Sequence, residues 1–323
     1  MKAPFLICVG NAIVDILVKV DDTFLKTNGL IKGSMSLVNN EEFDKIISKF
    51  SKYKINSGGS AANTAVGYSS FGGNSLFFGS VAKDNFGLSF KKDLNDIGIQ
   101  FLSCEDNFLN AKTSKSLILI SPDGERTMNT YLGAGEHLSV DDLHMDAIKE
   151  AKILYMEGYL WDKPSSKSAF LNAAKINKES GGLNSISLSD VFCVEMHRES
   201  FISFIADDID YVFCNEDELN SLCLQSSTNQ SFKYFEEKFP KVKELICTLG
   251  SDGAVILKNS ERHFFEATET KVIDKTGAGD FFAAGYLYGL QKEFSLDKSA
   301  NFANKSAAHV ISEIGVRPKS KFN

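Results

Sequence analysis

Asp274-Lys275-Thr276-Gly277-Ala278-Gly279-Asp280, followed by FFAAGYLYGL at 281–290, is the most informative segment of this chain. Gly277, Ala278 and Gly279 are small enough to let a ligand approach the backbone closely. The run behind them is apolar nearly all round, which predicts a buried helix over 278–291. A helix start presents N–H groups with no intrahelical acceptor and the positive end of a dipole, and both suit a phosphate. Asp280 falls in the first turn. Its carboxylate, ionised at neutral pH, can take the proton of a hydroxyl. Glycines, an anion hole and a carboxylate are what phosphoryl transfer to an alcohol needs. A glycine turn capped by an acid is the plainer account of G-A-G alone, but the full string before an apolar helix outweighs it. The stretch is neither G-x-x-x-x-G-K-[ST] nor G-x-G-x-x-G.

Outward from it, short apolar runs alternate with helical stretches. Strands are expected at 5–10, 76–82, 153–157, 184–188, 210–214, 244–248 and 254–258, and helices at 41–52, 84–96, 165–179, 229–238, 278–291 and 295–313. The alternation predicts a doubly wound α/β core, mostly parallel, with helices on both faces. Two regions break the rhythm. Residues 12–38 hold IVDILVKV and SMSLV, which read as strands without a following helix. Residues 111–132 hold TSKSLILIS and RTMNTYL around SPDGE, a β-hairpin pattern. These two regions are expected to form a small β lid, or a dimer interface. The core is then 1–11, 39–110 and 133–323.

Composition narrows the classes. The 323 residues carry 35 Lys and Arg against 42 Asp and Glu, a net charge of −7, with no basic run. That argues against a nucleic-acid partner. The six cysteines form no C-x-x-C pair and sit mostly in apolar runs, as buried thiols of a reducing compartment do. The five histidines lack metal-ligand spacing. With no signal-peptide pattern and no apolar run of about 18 residues, a cytoplasmic protein without membrane partners is expected.

Other positions carry chemistry with a bland alternative beside it. Asp15 interrupts an apolar strand. It is either an edge residue facing water or a carboxylate that grips two vicinal hydroxyls. Asn215 and Glu218 follow the strand DYVFC, where α/β sites collect, yet the spacing also fits a helix cap. Gly58 and Gly59 open a helix. Arg126 in the hairpin and Asn304 on the last helix read equally as solvated surface residues.

The string D-x-T-G-A-G-D closely resembles the C-terminal signature of the ribokinase-like, or PfkB-type, carbohydrate and nucleoside kinases. Other stretches agree in order: VGNAIVD with Asn11 and Asp15, Gly58-Gly59-Ser60-Ala61-Ala62-Asn63, Asn215-x-x-Glu218, and TLGSDGA at 248–254. By this resemblance, Asp280 is the base and the N–H groups of Gly277, Ala278 and Gly279 hold the developing charge. Asn11, Asp15, Gly58, Gly59 and Asn63 bind the acceptor. Asn215 and Glu218 hold Mg2+ through water, and Arg126 closes over the transferring phosphate. Thr248, Gly250 and Gly253 frame the ATP phosphates and ribose, with Asn304 near adenine. Lys275 departs from the Thr or Ser usual in the family and is expected to add a charge near the ATP phosphates. Some relatives respond to K+. The sequence leaves that open here, as it does the choice between monomer and homodimer.

The acceptor is expected to be a ribonucleoside, adenosine first. Met35, Met128, Leu132 and Tyr159 would make an apolar slot for a base around the ribose grip. These stretches resemble bacterial adenosine-kinase-like members. A ribokinase- or fructokinase-like sugar kinase is the alternative, and a non-catalytic sensor of sugar or nucleotide a remote one.

Overall fold

The computed structural model describes residues 4–103, 111–317 and 322. Among these, nine strands form one sheet, in the order Glu261–Phe265, Ala254–Lys258, Glu244–Thr248, Tyr211–Asn215, Leu183–Ser187, Ile153–Glu157, Leu6–Val9, Ser75–Phe78, Gln100–Leu102. From Glu244–Thr248 to Gln100–Leu102 every pairing is parallel. The alternating side chains of these strands feed two cores. Leu6, Cys8, Phe77, Tyr155 and Phe213 pack with Phe281 and Tyr286 on one face. Ile7, Val9, Leu154, Met156 and Val212 pack with Phe170, Phe201 and Phe235 on the other. Both faces are buried, which is why these strands read as continuous apolar runs.

The edge departs from the parallel pattern. Ala254–Lys258 runs antiparallel to Glu244–Thr248, and Glu261–Phe265 extends it as a hairpin. Only Asn259 and Ser260 connect the two edge strands, both at positive φ, and so short a link permits only antiparallel pairing. The sequence ERHFF has too little alternation to mark its strand. Helix Val191–Asp208 was likewise unmarked, because Phe192 and Met196 are exposed while Val194 and Phe201 are buried. Apolar residues on both sides leave no single stripe to detect.

A second, smaller sheet has the order Met35–Leu37, Arg126–Tyr131, Ser114–Ile120, Ile13–Lys19, Lys54–Gly58. The expected hairpin is there, with Ile120 opposite Arg126. Two details correct the sequence reading. Region 12–38 contains a helix, Asp22–Thr27, whose N-terminus Asp21 caps by accepting from the Phe24 amide at 2.7 Å. Lys54–Gly58, expected in the core, pairs with Ile13–Leu17 as an edge strand. Its sequence KINSG is too polar and short to announce a strand.

Cys8, Cys193, Cys214, Cys223 and Cys247 are buried free thiols, and Cys104 lies outside the described residues. Among the described residues no helix is long and apolar enough to cross a membrane.

Candidate active site

Where the parallel strands end, the small sheet faces the main one across a cavity of about 450 Å³. A second cavity, of about 570 Å³, adjoins it. Thr248, Lys275, Ala278, Gly279 and Phe282 line both, so the motif at 274–280 forms the wall between them.

That wall is built from its sequence. Asp274 is buried and pins the loop. One carboxylate oxygen accepts from the Thr276 amide at 3.0 Å, and the other from the Gly315 amide at 2.6 Å. Gly277 takes a left-handed φ of 78° as the N-cap of helix Ala278–Gln291. Ala278 and Gly279, whose N–H groups have no acceptor within that helix, border both cavities, and the Ala278 N–H donates to the Lys275 carbonyl at 3.3 Å. Asp280 follows in the first turn. Its Oδ1 accepts from the Ser60 hydroxyl at 2.6 Å and its Oδ2 from Asn63 Nδ2 at 2.9 Å. Burial pushes its carboxyl up to about 6, against the lowering effect of those two bonds and of Arg317.

The glycines at 58 and 59 have separate jobs. Gly58 lies under Asp15, where a Cβ would stand 2.3 Å from the carboxylate. It clears room for that side chain rather than lining either cavity. Gly59 turns the chain from strand to helix at φ 97°, and a Cβ there would meet the Asn11 carbonyl at 2.1 Å. Asp15 itself lies on an interior strand of the small sheet and borders the cavity. Burial, opposed by Arg317 and Arg126, pushes it up to about 7. Asn11 Oδ1 is buried with no hydrogen-bond partner among the described residues.

Glu157, at the end of strand Ile153–Glu157, was missed. It is fully buried and accepts from the amides of Asn11 and Ala61, at 2.7 Å each. It thereby ties the loop after the first strand to the start of helix Ser60–Ser70. Burial pushes it up to about 7. An acid closing the apolar run ILYM was a readable signal, since ligand sites collect at such strand ends. Ser60 and Asp274 lie inside the sequence motifs, at positions to which the resemblance assigns no role. Arg317, in the loop after the last helix, had no motif to mark it.

The remaining expected residues fall as follows. Met35, Met128 and Tyr159 line the first cavity, and the Tyr159 hydroxyl donates to the Ser189 carbonyl at 3.0 Å. Leu132 lines neither cavity, and its carbonyl accepts from the Ser114 hydroxyl. Arg126 crosses from the small sheet to pair with Asp274. Asn215 and Glu218 border the first cavity and form a capping box, with Asn215 Nδ2 donating to Glu218 Oε1 at 2.7 Å. Gly250, Gly253 and Asn304 line the second cavity. Asn304 is buried there, with Nδ2 donating to the Glu266 carbonyl at 3.0 Å.

Comparison with known proteins agrees with this geometry. A probable sugar kinase from Rhizobium etli CFN 42 superposes with a TM-score of 0.91 at 37% identity, over 99% of this chain and 97% of that one. Adenosine kinase from Sinorhizobium meliloti gives 0.89 at 36% identity, over 99% and 97%. The probable fructokinase-6, chloroplastic, of Arabidopsis thaliana is 27% identical over 98% of this chain and 80% of its own length. The pfkB family carbohydrate kinase pattern matches residues 27–322. Kinases of this family use ATP and typically Mg2+. A helix start with a carboxylate in its first turn, dividing two cavities, thus has its explanation in descent: the chain belongs to the pfkB family of carbohydrate kinases, phosphotransferases that take an alcohol group as acceptor.

Proposed function

We propose that this protein transfers the γ-phosphoryl group of ATP to the primary hydroxyl of a ribonucleoside, adenosine first. The observation that carries this reading is the position of Asp280, at the start of a helix that divides two adjoining cavities. ATP lies in the second cavity, along Gly250, Gly253 and Asn304, with its phosphates against the helix start. The acceptor lies in the first, its ribose hydroxyls held by Asp15 and by the unpartnered Asn11 Oδ1. Asp280 uses one lone pair on each oxygen for Ser60 and Asn63, which leaves capacity to take the hydroxyl proton. The acceptor oxygen bonds to the γ-phosphorus as the bond to the ADP oxygen breaks. The N–H groups of 277–279 hold the phosphoryl oxygens as that happens.

The donor set fits magnesium held through water. Glu218 Oε1 and Oε2 each accept one bond, both from Asn215, so accepting capacity remains beside the cavity. Among the described residues no cluster of three metal-ligating side chains forms, and Mg2+ commonly keeps several waters and one or two carboxylates. When bound, the ion neutralises phosphate charge.

For the acceptor, Ile13, Met35, Ile118 and Met128 give the first cavity an apolar wall, and Tyr159 offers a ring to a purine. A sugar kinase is the second reading, favoured by the hydroxyls of Ser116, Thr130, Ser187 and Ser189 on the same cavity. The two separate on kcat/KM for adenosine, guanosine, ribose and fructose. Adenosine is expected to lead, and a free sugar preferred over every nucleoside would overturn the assignment.

Arg126 ties the small sheet to the motif loop and acts as a lid residue. Arg126→Ala is expected to lower kcat by about tenfold to a hundredfold while changing acceptor KM by less than about threefold, because the contact proposed for it, with the transferring phosphate, strengthens as charge develops. A change in thermal midpoint with kcat intact would make it a structural residue only.

A further inference from the structure

Arg317 follows the last helix, outside every motif, yet its side chain is only 15% exposed. Nε donates to Asp93 Oδ2 at 3.3 Å, and Nη1 to Asn63 Oδ1 at 3.2 Å and to the Val316 carbonyl at 2.9 Å. Nη2 donates to the Ser57 hydroxyl, which itself donates to Asp93. On the other side of Asn63, Nδ2 donates to Asp280 Oδ2 at 2.9 Å. A primary amide has one accepting end and one donating end, whereas a guanidinium only donates. With Arg317 on one side, the amide can satisfy both neighbours in one orientation only. Rotated, it would set Oδ1 against the carboxylate and NH2 against the guanidinium.

We propose that Arg317 is a positioning residue that acts on Asp280 through Asn63, holding the amide in the orientation that donates to the base. The proposal deepens the kinase reading and rests on Asp280 being that base. Beyond the amide, charge adds to the effect. Among the described residues, the groups around Asp280 are Asp15 and Arg126 from the small sheet, Tyr155 and Glu157 from strand Ile153–Glu157 with Tyr159 just beyond it, Lys275 from its own loop, and Arg317 with Asp93 behind Asn63. Among the described residues Arg317 is the charged group that lowers the Asp280 carboxyl, and together with Arg126 it lowers Asp15. Loss of the guanidinium therefore moves Asp280 upward twice over: a cation is gone, and the amide is free to turn.

The test is a ¹³C-carboxyl NMR titration of Asp280 in the full chain, assigned by its disappearance in Asp280→Asn, alongside thermal midpoints and the pH profile of turnover. Arg317→Gln is expected to raise the Asp280 titration midpoint by about one pH unit and to move the acid limb of turnover with it. Arg317→Lys keeps the charge and the Asp93 partner but lacks the planar fork, so about half that rise is expected, and it serves if the Gln variant does not fold. Asp93→Asn, which breaks the arginine's ion pair and disturbs the Ser57 contact while leaving both partners of the Arg317–Asn63 bond in place, is expected to lower the thermal midpoint without raising the Asp280 midpoint. An Asp280 midpoint unmoved in every folded Arg317 variant, or raised as much by Asp93→Asn, overturns the proposal even if the protein phosphorylates its acceptor. A raised midpoint in a protein that phosphorylates neither nucleoside nor sugar would sustain the contact and reject the kinase reading instead.

Discussion

Asp280→Asn is expected to bind ATP as the unsubstituted protein does and to lose about a hundredfold to ten-thousandfold of its turnover. The substitution preserves shape, and the amide oxygen can still accept from either Ser60 or Asn63. It removes the proton acceptor. It also sets an NH2 group toward one of two donors, so part of the loss comes from a disturbed contact. In the proposed arrangement ATP lies along the second cavity, which Asp280 does not line, and so its binding should change little. Saturation kinetics with an independent nucleotide-binding measurement separate the two effects. Near-normal turnover at saturating substrate would remove Asp280 from the role of base.

Gly59→Ala is the second large effect. At φ 97° an alanine is strained wherever it stands, and its Cβ would meet the Asn11 carbonyl at 2.1 Å. Backbone, not a flexible side-chain tip, is what must move. The loop holding Asn11 and the start of helix Ser60–Ser70 are already tied together by Glu157, so a shift of either disturbs the proposed acceptor grip and the Ser60 contact to Asp280. A loss of about 3 kcal/mol of stability is expected in urea unfolding, with a rise in acceptor KM. Gly279→Ala is the useful contrast. Its Cβ meets nothing within 4 Å, and its φ is unexceptional. Stability should hold within about 1 kcal/mol, since alanine suits a helix better than glycine, while the KM for ATP rises. Equal stability of the two variants would mean that the turn at 59 is not the constraint it looks to be.

The central strands and most long helices could be read from the sequence because burial on both faces writes itself as apolar runs. Helix Ala278–Gln291 fell where its all-round apolar pattern put it. Elements that owe their place to pairing rather than to burial left weaker marks. Lys54–Gly58 is an edge strand held by backbone bonds to Ile13–Leu17, and nothing in KINSG announces that partner. The site divides the same way. Motif residues such as Asp15, Asn63 and Asp280 stood out because a polar group interrupts an apolar or glycine-rich context. Glu157 showed a fainter version of that signal, and Arg317 showed none. Its contacts lie 254 residues away at Asn63 and 224 away at Asp93, distances that only the fold closes.

The most direct test of the whole account is the pH dependence of phosphoryl transfer in a single turnover, with enzyme in excess over acceptor, for the unsubstituted protein and Asp280→Asn. Burial raises the Asp280 carboxyl to about 6, and only the ionised form accepts the proton. The rate should therefore be level above that value and fall about tenfold per unit below it, with Asp280→Asn slow throughout and lacking that limb. A rate unchanged through this range, or the same limb in both proteins, would contradict Asp280 as the base.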